Sequence, residues 1–208
     1  MSATSATRST AADANTKTLN LVTHPVCGDL GAVGVVTVQV ISTIKELRLI
    51  YDIRSRLAIK VPTLRGERPG RHDELWFQTC CELFIRDPQQ PGPYLEFNFS
   101  PAGDFASYAF DDPLQGMRSH RWPGPLQELS VRSNILRSKI PDLLGDSFLH
   151  RLVVEVSIPK IAIGGSTQLY PTVVLETVAG ISLWAIWHPI DRPHFHHPKN
   201  FLRALDIP

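Results

Sequence analysis

The amino-acid sequence predicts an all-β protein built as one antiparallel β-sandwich. Several short segments alternate apolar and polar residues with a period of two, and the 17 prolines and 13 glycines are spread along the chain between such segments. No segment carries a long, capped apolar pattern with a period of 3.6 residues. The chain has 208 residues, a length that such folds reach as a single domain. We therefore expect one domain over residues 19–208, after a disordered Ser/Thr/Ala-rich tail over residues 1–18.

The predicted strands are rich in β-branched and aromatic residues, which favour this conformation. In chain order the segments are VVTVQVI (35–41), ELRLIYDI (46–53), ELWFQTCCELFIRD (74–87), PYLEFNFS (93–100), FASYAF (105–110), FLHRLVVEVSIP (148–159), LYPTVVLETV (169–178) and ISLWAIW (181–187). The clearest alternation puts these apolar residues on one side of their strands: Leu47, Leu49, Tyr51 and Ile53, then Phe148, Leu152, Val154, Val156 and Ile158. The segments PKIAI and PKNFLRAL each predict one helical turn.

The charge balance argues against a nucleic acid or an anionic membrane as partner. The formal net charge is +1, from 21 basic and 20 acidic residues without a block of like charge. No apolar run is long enough for a secretory signal or a membrane span, so we expect a cytoplasmic protein. The three cysteines, Cys27, Cys80 and Cys81, have no zinc or redox spacing, and we expect them to be reduced. Cys80 and Cys81 are adjacent in a predicted strand and should point to opposite faces.

The richest segment is the predicted hairpin from Glu74 to Ser100. One face of its first strand carries Leu75, Phe77, Thr79, Cys81, Leu83 and Ile85, and one face of its second strand carries Leu95, Phe97 and Phe99. These apolar faces predict a shared core that contains Phe77, Leu83, Leu95, Phe97 and Phe99, joined by Leu152, Val154 and Val156.

The reverse face of the same hairpin mixes aromatic rings, carboxylates and amides. It carries Trp76, Gln78 and Glu82 on the first strand and Tyr94, Glu96 and Asn98 on the second. With the two faces in register, Glu82 lies opposite Asn98 or one step from it. Such a surface suits a sugar, whose C–H faces stack on aromatic rings while its hydroxyls bond to carboxylates and amides. The alternative is a plain sheet face that meets solvent.

This hairpin and the C-terminal stretch resemble the bacterial DOMON-like domains related to family-nine carbohydrate-binding modules. The matching residues are Leu75-Trp76, Thr79-Cys80, Glu82-Leu83-Phe84, Tyr94 to Gly103, Phe105, Tyr108, Phe110, Met117, Val174-Leu175-Glu176, Gly180, Leu183-Trp184-Ala185, His188-Pro189, Pro193 and Phe195-His196-His197-Pro198. The resemblance covers residues 20 to 205, and LEFNFSPAG is its most specific run. It implies an immunoglobulin-like or jelly-roll sandwich that binds sugars on a sheet face or, in one branch, a b-type haem. The family usually has an acidic residue before the Phe-His pair, where this chain has His194.

Three other kinds of site have candidate residues. His194 and His196 would project to the same side of an extended segment and could bind a metal, although we expect that segment to wrap the domain with its histidines bonded to the backbone. Met117 with His120, His150 or His188 could ligate haem. Glu82 and Glu96 could lie at a spacing compatible with glycosidase carboxylates.

The sequence therefore favours a non-catalytic binding domain without a cofactor or metal. Its ligand would be a saccharide or another small polar molecule, bound by Trp76, Gln78, Glu82, Tyr94, Glu96 and Asn98. A haem-carrying electron-transfer domain and a protein-interaction module remain the alternatives. Oligomeric state does not follow from the sequence.

Overall fold

The structure, a computed structural model, describes residues 15–28, 34–120, 130–142, 145–160, 163 and 166–207. Within these residues the chain forms twelve strands. They are β1 (Asn15–Thr23), β2 (Gly34–Ser42), β3 (Glu46–Ser55), β4 (Cys80–Arg86), β5 (Tyr94–Phe99), β6 (Phe105–Phe110), β7 (Arg118–Ser119), β8 (Ser130–Asp142), β9 (Gly145–Pro159), β10 (Thr167–Thr177), β11 (Gly180–Ala185) and β12 (Leu205–Ile207). Short 3-10 helices span Pro25–Cys27, Leu75–Phe77 and Pro198–Arg203.

The strands form a curled antiparallel sheet, which confirms the all-β prediction. Its order is β7-β6-β5-β4-β10-β11-β1-β2-β3-β9-β8, with β12 paired to β10. The two halves of the sheet join at β1 and β11, where Val22 pairs with Ala185 and Thr23 pairs with Trp184. In the part of the chain that the structure describes, no helix is long and apolar enough to cross a membrane.

The main core lies between the two halves of the curled sheet. Apolar residues of β2, β3 and β9 pack there against those of β4, β5 and β10. Six of the eight predicted core residues are fully buried in it: Leu83, Phe97, Phe99, Leu152, Val154 and Val156. Leu95 packs against this core but is only partly buried. The Tyr51 hydroxyl donates to the Glu82 carbonyl at 2.7 Å and ties the two halves together.

Residues 74–79 are not part of a strand, and the prediction that Phe77 lies in the core is wrong. Glu74 has a φ of 62°, a left-handed conformation that a strand does not contain, and the 3-10 helix follows it directly. The Arg65 guanidinium donates to the carbonyls of Asp73 and Glu74 and holds this turn. Phe77 is consequently 63% exposed, and the period-two pattern of the sequence begins only with β4.

The ends and edges of the sheet differ from the prediction in two places. Strand β1 begins at Asn15, inside the tail predicted for residues 1–18, while residues 1–14 lie outside the described residues. Strand β8 was not predicted. Where its side chains are described, Val131 packs against the main core, but Ile135 and Leu136 are both about half exposed and do not form a buried face with it. The predicted turn in PKNFLRAL is the 3-10 helix Pro198–Arg203. In PKIAI the Ile163 N–H donates to the Lys160 carbonyl at 3.1 Å, and residues 161 and 162 lie outside the described residues.

A second apolar cluster covers the other face of β4, β5, β6 and β10. Phe84, Tyr94, Tyr108 and Tyr170 of the sheet pack there with Phe201 of the C-terminal segment. Cys80 belongs to this cluster and Cys81 to the main core, as predicted for adjacent strand residues. All three cysteines are free thiols. The reverse face of the hairpin therefore does not meet solvent, because the chain after β11 lies over it.

Candidate functional site

A cavity of about 470 Å³ lies between this second sheet face and the segments that cover it. Its floor consists of side chains from five strands, β4, β5, β6, β10 and β11. Its walls come from the 3-10 helix before β4, the loop between β6 and β7, and the C-terminal segment. The lining residues are Trp76, Glu82, Phe84, Glu96, Phe110, Leu114, Met117, Val174, Leu183, Pro193, His194, Phe195 and His196.

The C-terminal segment is held over the sheet by backbone and side-chain hydrogen bonds. His24 Nε2 lies 3.0 Å from the Ile190 carbonyl, and His188 Nε2 lies 3.0 Å from the Val22 carbonyl. The Tyr170 hydroxyl donates to the Trp187 carbonyl. Asn200 Nδ2 donates to the carbonyls of Phe195 and His194 at 2.6 and 3.0 Å. The prediction that this segment wraps the domain is thus confirmed, and its path places residues 193–196 over the cavity.

The run LEFNFSPAG ends in a turn that supports the cavity wall from behind. Gly103 has a φ of 107°, a conformation that favours glycine, and a Cβ there would meet Pro69 at 3.1 Å. Buried Asp104 accepts hydrogen bonds from the backbone N–H groups of Arg65 and Gly70. The turn therefore fixes the loop that leads to Trp76.

In the described part of the chain, two non-glycine residues have a positive φ, and both stand beside the cavity. Glu74 precedes the wall residue Trp76 by two positions, and Leu114, with a φ of 57°, is itself in the wall. Such backbone conformations cost free energy and are commonly found near binding sites. Trp76 is held by an edge-to-face contact with Tyr108, whose ring centroid is 5.7 Å away.

Two glutamates on neighbouring strands form the polar part of the floor. Glu82 of β4 pairs with Thr172 of β10 on one side and with Asn98 of β5 on the other, which confirms the predicted hairpin register. Glu96 pairs with Phe84, which is two residues further along β4 and on the same face as Glu82. Glu82 and Glu96 are therefore diagonal neighbours, and they are only 2% and 4% exposed.

Each buried carboxyl has one hydrogen bond to a described residue. Thr172 Oγ1 donates to Glu82 Oε2 at 2.8 Å, and Asn98 Nδ2 donates to Glu96 Oε1 at 2.7 Å. A carboxylate has room for about four such bonds, so much acceptor capacity stays unused within the described structure. Burial and the repulsion by Glu96 raise the pKa of Glu82. Burial likewise raises the pKa of Glu96.

His196 approaches Glu96 from the opposite wall. The Leu114 N–H donates to the Tyr94 hydroxyl at 3.4 Å, and this hydroxyl lies 2.8 Å from His196 Nδ1. In the tautomer in which Nδ1 accepts the hydroxyl proton, the imidazole proton is on Nε2. Nε2 lies 3.8 Å from Glu96 Oε2, a gap that a bridging oxygen could fill. Burial lowers the pKa of His196 to about 4, so the ring is neutral at neutral pH.

The structure brings together most of the residues predicted to bind a ligand. Trp76, Glu82 and Glu96 line the cavity. Tyr94 and Asn98 lie behind it, where Tyr94 bonds to His196 and Asn98 to Glu96. Gln78 is the exception, because it is exposed at the end of the 3-10 helix and not on the strand face with Glu82.

The residues considered for haem are dispersed, whereas His194 and His196, considered for a metal, both line the cavity with ring centroids 6.2 Å apart. Met117 lines the cavity, but His120, His150 and His188 are not among the lining residues, so none of the three predicted pairs is assembled there. His188 packs against His24, and the His120 ring lies near Phe97 in the sheet. Among the described residues there is no group of three or more His, Cys, Asp or Glu side chains that could hold a metal ion.

The sequence reasoning missed most of the apolar lining. Phe84 falls on the reverse face of the predicted hairpin but was not among the predicted binding residues, and neither was Phe110 of the next strand. Phe195 stands in a segment without strand periodicity. The available signal was the Phe-His pair at Phe195 and His196, which entered only as part of the family resemblance. Its role as a wall depends on where the C-terminal segment runs.

Comparison with known proteins shows the fold. No family model matches the chain, and no curated protein matches it. The chain is similar to a solved structure of a Bacteroides uniformis protein to which carbohydrate binding is ascribed. The TM-score is 0.60 and the identity 16%, and the match covers 93% of this chain and 85% of that chain. Two structures of a family 9 carbohydrate-binding module from Caldicellulosiruptor kristjanssonii also match, each at 9% identity. The complex with glucose has a TM-score of 0.41 over 83% of this chain and 75% of that one, and the complex with cellotriose has 0.36 over 74% and 66%.

Proposed function

We propose that this chain is a non-catalytic carbohydrate-binding domain whose ligand occupies the cavity under the C-terminal segment. The observation that carries the proposal is the composition of the cavity wall. Aromatic rings surround two buried carboxyls that have few hydrogen-bond partners in the described structure. Ligand cavities of a few hundred Å³ typically combine an apolar lining with a few polar groups of this kind.

A pyranose ring fits both parts of this lining. Its C–H faces are apolar and would pack on Trp76 or Phe110, which stand on different sides of the cavity. Its hydroxyls would donate to the carboxyl oxygens of Glu82 and Glu96, and one hydroxyl could bridge Glu96 and the Nε2–H of His196. Tyr94 and Asn98 would act as positioning residues, since they hold His196 and Glu96.

Binding is favoured over glycoside hydrolysis by the similarity of the two carboxyl environments. A glycosidase needs one carboxyl that is protonated and another that is ionised, and it obtains them from environments that push the two pKa values apart. Here burial raises the pKa of both Glu82 and Glu96. Neither glutamate has a lysine or arginine contact in the described structure that would keep it ionised as a nucleophile.

We further propose that the curled sheet is a DOMON-like β-sandwich. Support comes from the core between the two halves of the sheet, where β3 and β9 pack against β4 and β5. The Bacteroides protein, whose fold is similar over most of both chains, is ascribed carbohydrate binding, which agrees with the ligand class proposed here.

A thermal-shift screen on a library of mono- and oligosaccharides tests the proposal, because a ligand that binds only the native state raises the melting temperature. The hit is then titrated against Trp76→Ala and against the adjacent aromatic variant Phe77→Ala. Trp76 lines the cavity, whereas Phe77 is 63% exposed and does not. We expect Trp76→Ala to weaken binding by roughly 5- to 100-fold, which corresponds to about 1–3 kcal/mol of lost stacking, with little effect of Phe77→Ala. No melting shift with any sugar, or equal losses in both variants, would contradict the proposal.

A further inference from the structure

The described residues that line the cavity give its carboxyl pair no positive counter-charge, because no lysine or arginine is among them. The basic group that the structure records beside the pair is the His196 imidazole, which lies 3.8 Å from Glu96, is held by Tyr94 and is neutral at neutral pH. Two buried carboxylates this close cannot both be ionised unless a positive charge joins them.

The unused oxygens of the pair are available to a ligand. Glu82 Oε2 and Glu96 Oε1 are engaged by Thr172 and Asn98, which leaves Glu82 Oε1 and Glu96 Oε2 without a hydrogen bond from a described residue. Both glutamates are more than nine-tenths buried and both line the cavity. The rings of Trp76 and Phe84 in the same lining offer faces that attract a cation.

We propose that the natural ligand carries an ammonium group, as an amino sugar does, and that this group lies between Glu82 and Glu96. The inference rests on the proposed carbohydrate site and narrows its ligand class. A hydroxyl would satisfy one free oxygen without changing the charge of the pair. An ammonium supplies three donors and one positive charge, so that both carboxyls ionise and the proton they held is released to the buffer.

Other titratable groups facing the pair come from each neighbouring element. They are Cys80 on β4, Tyr94 on β5, Tyr108 on β6, and His194 and His196 on the C-terminal segment. Strand β10 contributes Thr172 and Tyr170, and the Tyr170 hydroxyl donates to the Trp187 carbonyl. Tyr108 points its hydroxyl to Asp73, at 2.6 Å, and is not directed at the pair. His196 is neutral at neutral pH and has no proton to release there. The experiment must therefore separate the carboxyls from His194.

The test compares two ligands that differ in one group, methyl β-glucosaminide and methyl β-glucoside. Calorimetric titrations at pH 7 in two buffers of different ionisation enthalpy give both the affinity and the number of protons released. We expect the glucosaminide to bind roughly 10- to 100-fold more tightly, as for a hydrogen-bonded charge pair. The carboxyl pair should release roughly one proton, and the net release is smaller by the fraction of the free amine that must take up a proton to bind as an ammonium. Glu82→Gln and Glu96→Gln should each reduce this preference at least several-fold. Glu155→Gln, at a partly exposed position on β9 paired with Arg48, should leave it unchanged.

The outcomes separate this inference from the proposed function. Proton release that persists in His194→Gln assigns the protons to the carboxyls. If the glucoside, or another neutral sugar, binds as tightly as the glucosaminide, the ammonium inference is wrong and the carbohydrate site stands. Preference without proton release, or preference that survives in both Gln variants, also overturns the inference. If no sugar of either kind binds, the proposed function fails with it. A thermal melt of each variant confirms that it is folded, and the proton count on the unmodified protein needs no variant.

Discussion

The buried carboxyl Glu82 should make the protein less stable as pH rises above neutrality. Burial and Glu96 raise the pKa of Glu82 from 4.5 to about 8. The native state therefore binds more protons than the unfolded chain between these values, and the free energy of unfolding falls as pH increases. The contribution of the group is complete below pH 4.5 and is lost as pH rises towards 8. At about 1.4 kcal/mol per pH unit, the interval from pH 6.5 to 8 corresponds to about 2 kcal/mol.

The interval is chosen to exclude the buried His196. Burial lowers its pKa from 6.5 to about 4, so the stability linked to it is complete above pH 6.5 and is lost as pH falls below that value. Between pH 6.5 and 8 the His196 contribution is constant, and the slope reports the carboxyls.

Glu82→Gln keeps the shape of the side chain and removes its proton equilibrium. The Gln carbonyl can still accept from Thr172, so we expect the variant to fold and to gain about 2 kcal/mol over the unmodified protein between pH 6.5 and 8. Urea unfolding at four pH values in this interval measures the gain, and Glu155→Gln, at a partly exposed position, is the matched control. If the Glu82→Gln protein and the unmodified protein lose stability in parallel, the reasoning about burial of this carboxyl is refuted.

Three further predictions follow from the packing. Phe97→Ala should lower the free energy of unfolding by about 3–5 kcal/mol, because Phe97 is fully buried in the main core. Trp76→Ala should lower it by less, because Trp76 is half-buried. Thermal melts compare the two variants, and a larger loss for Trp76→Ala would contradict the assignment of Trp76 to the cavity wall. Tyr94→Phe removes the hydrogen bond to His196, so it should lower the free energy of unfolding by about 1 kcal/mol and increase amide hydrogen exchange in residues 193–197. Unchanged exchange in these residues would show that the other contacts suffice to hold the segment. The purified protein should show no haem absorption, because no predicted pair of Met117 with a histidine is assembled in the cavity; a Soret band that is lost in Met117→Ala would establish the alternative function.

The central hairpin was predicted well from sequence, and the reason is local. Period-two alternation places Leu83 and Phe97 on one face and Glu82 and Asn98 on the other, and a one-residue shift would exchange the two sets. The structure has the register Leu83 to Phe97 and Glu82 to Asn98. The same alternation was misleading at Phe77, where a left-handed Glu74 and the bonds from Arg65 interrupt the strand. A turn held by a residue nine positions earlier leaves no periodic signal.

The candidate site was only half predictable. Glu82 and Glu96 were recognised by residue type and face, and Trp76 by residue type alone, since it lies on the 3-10 helix and not on the strand; all three line the cavity. Gln78 was included because it was taken to be on the same strand, and the end of the 3-10 helix moves it away. Phe195 and His196 could not be placed, since their position follows from contacts between Asn200 and the Phe195 carbonyl and between Tyr94 and His196, which join parts of the chain far apart in sequence.

The sequence by itself determined most of the strands, the register of the hairpin and the identity of its two faces over β4 and β5, because each of these depends on the alternation of neighbouring residues. It did not determine that the polar face is covered. A sheet with Glu82, Glu96 and Asn98 on one side has the pattern of a solvated sheet face, and only the tertiary structure lays the C-terminal segment over it. That covering removes water from the carboxyls, and their raised pKa values and the cavity itself result from it.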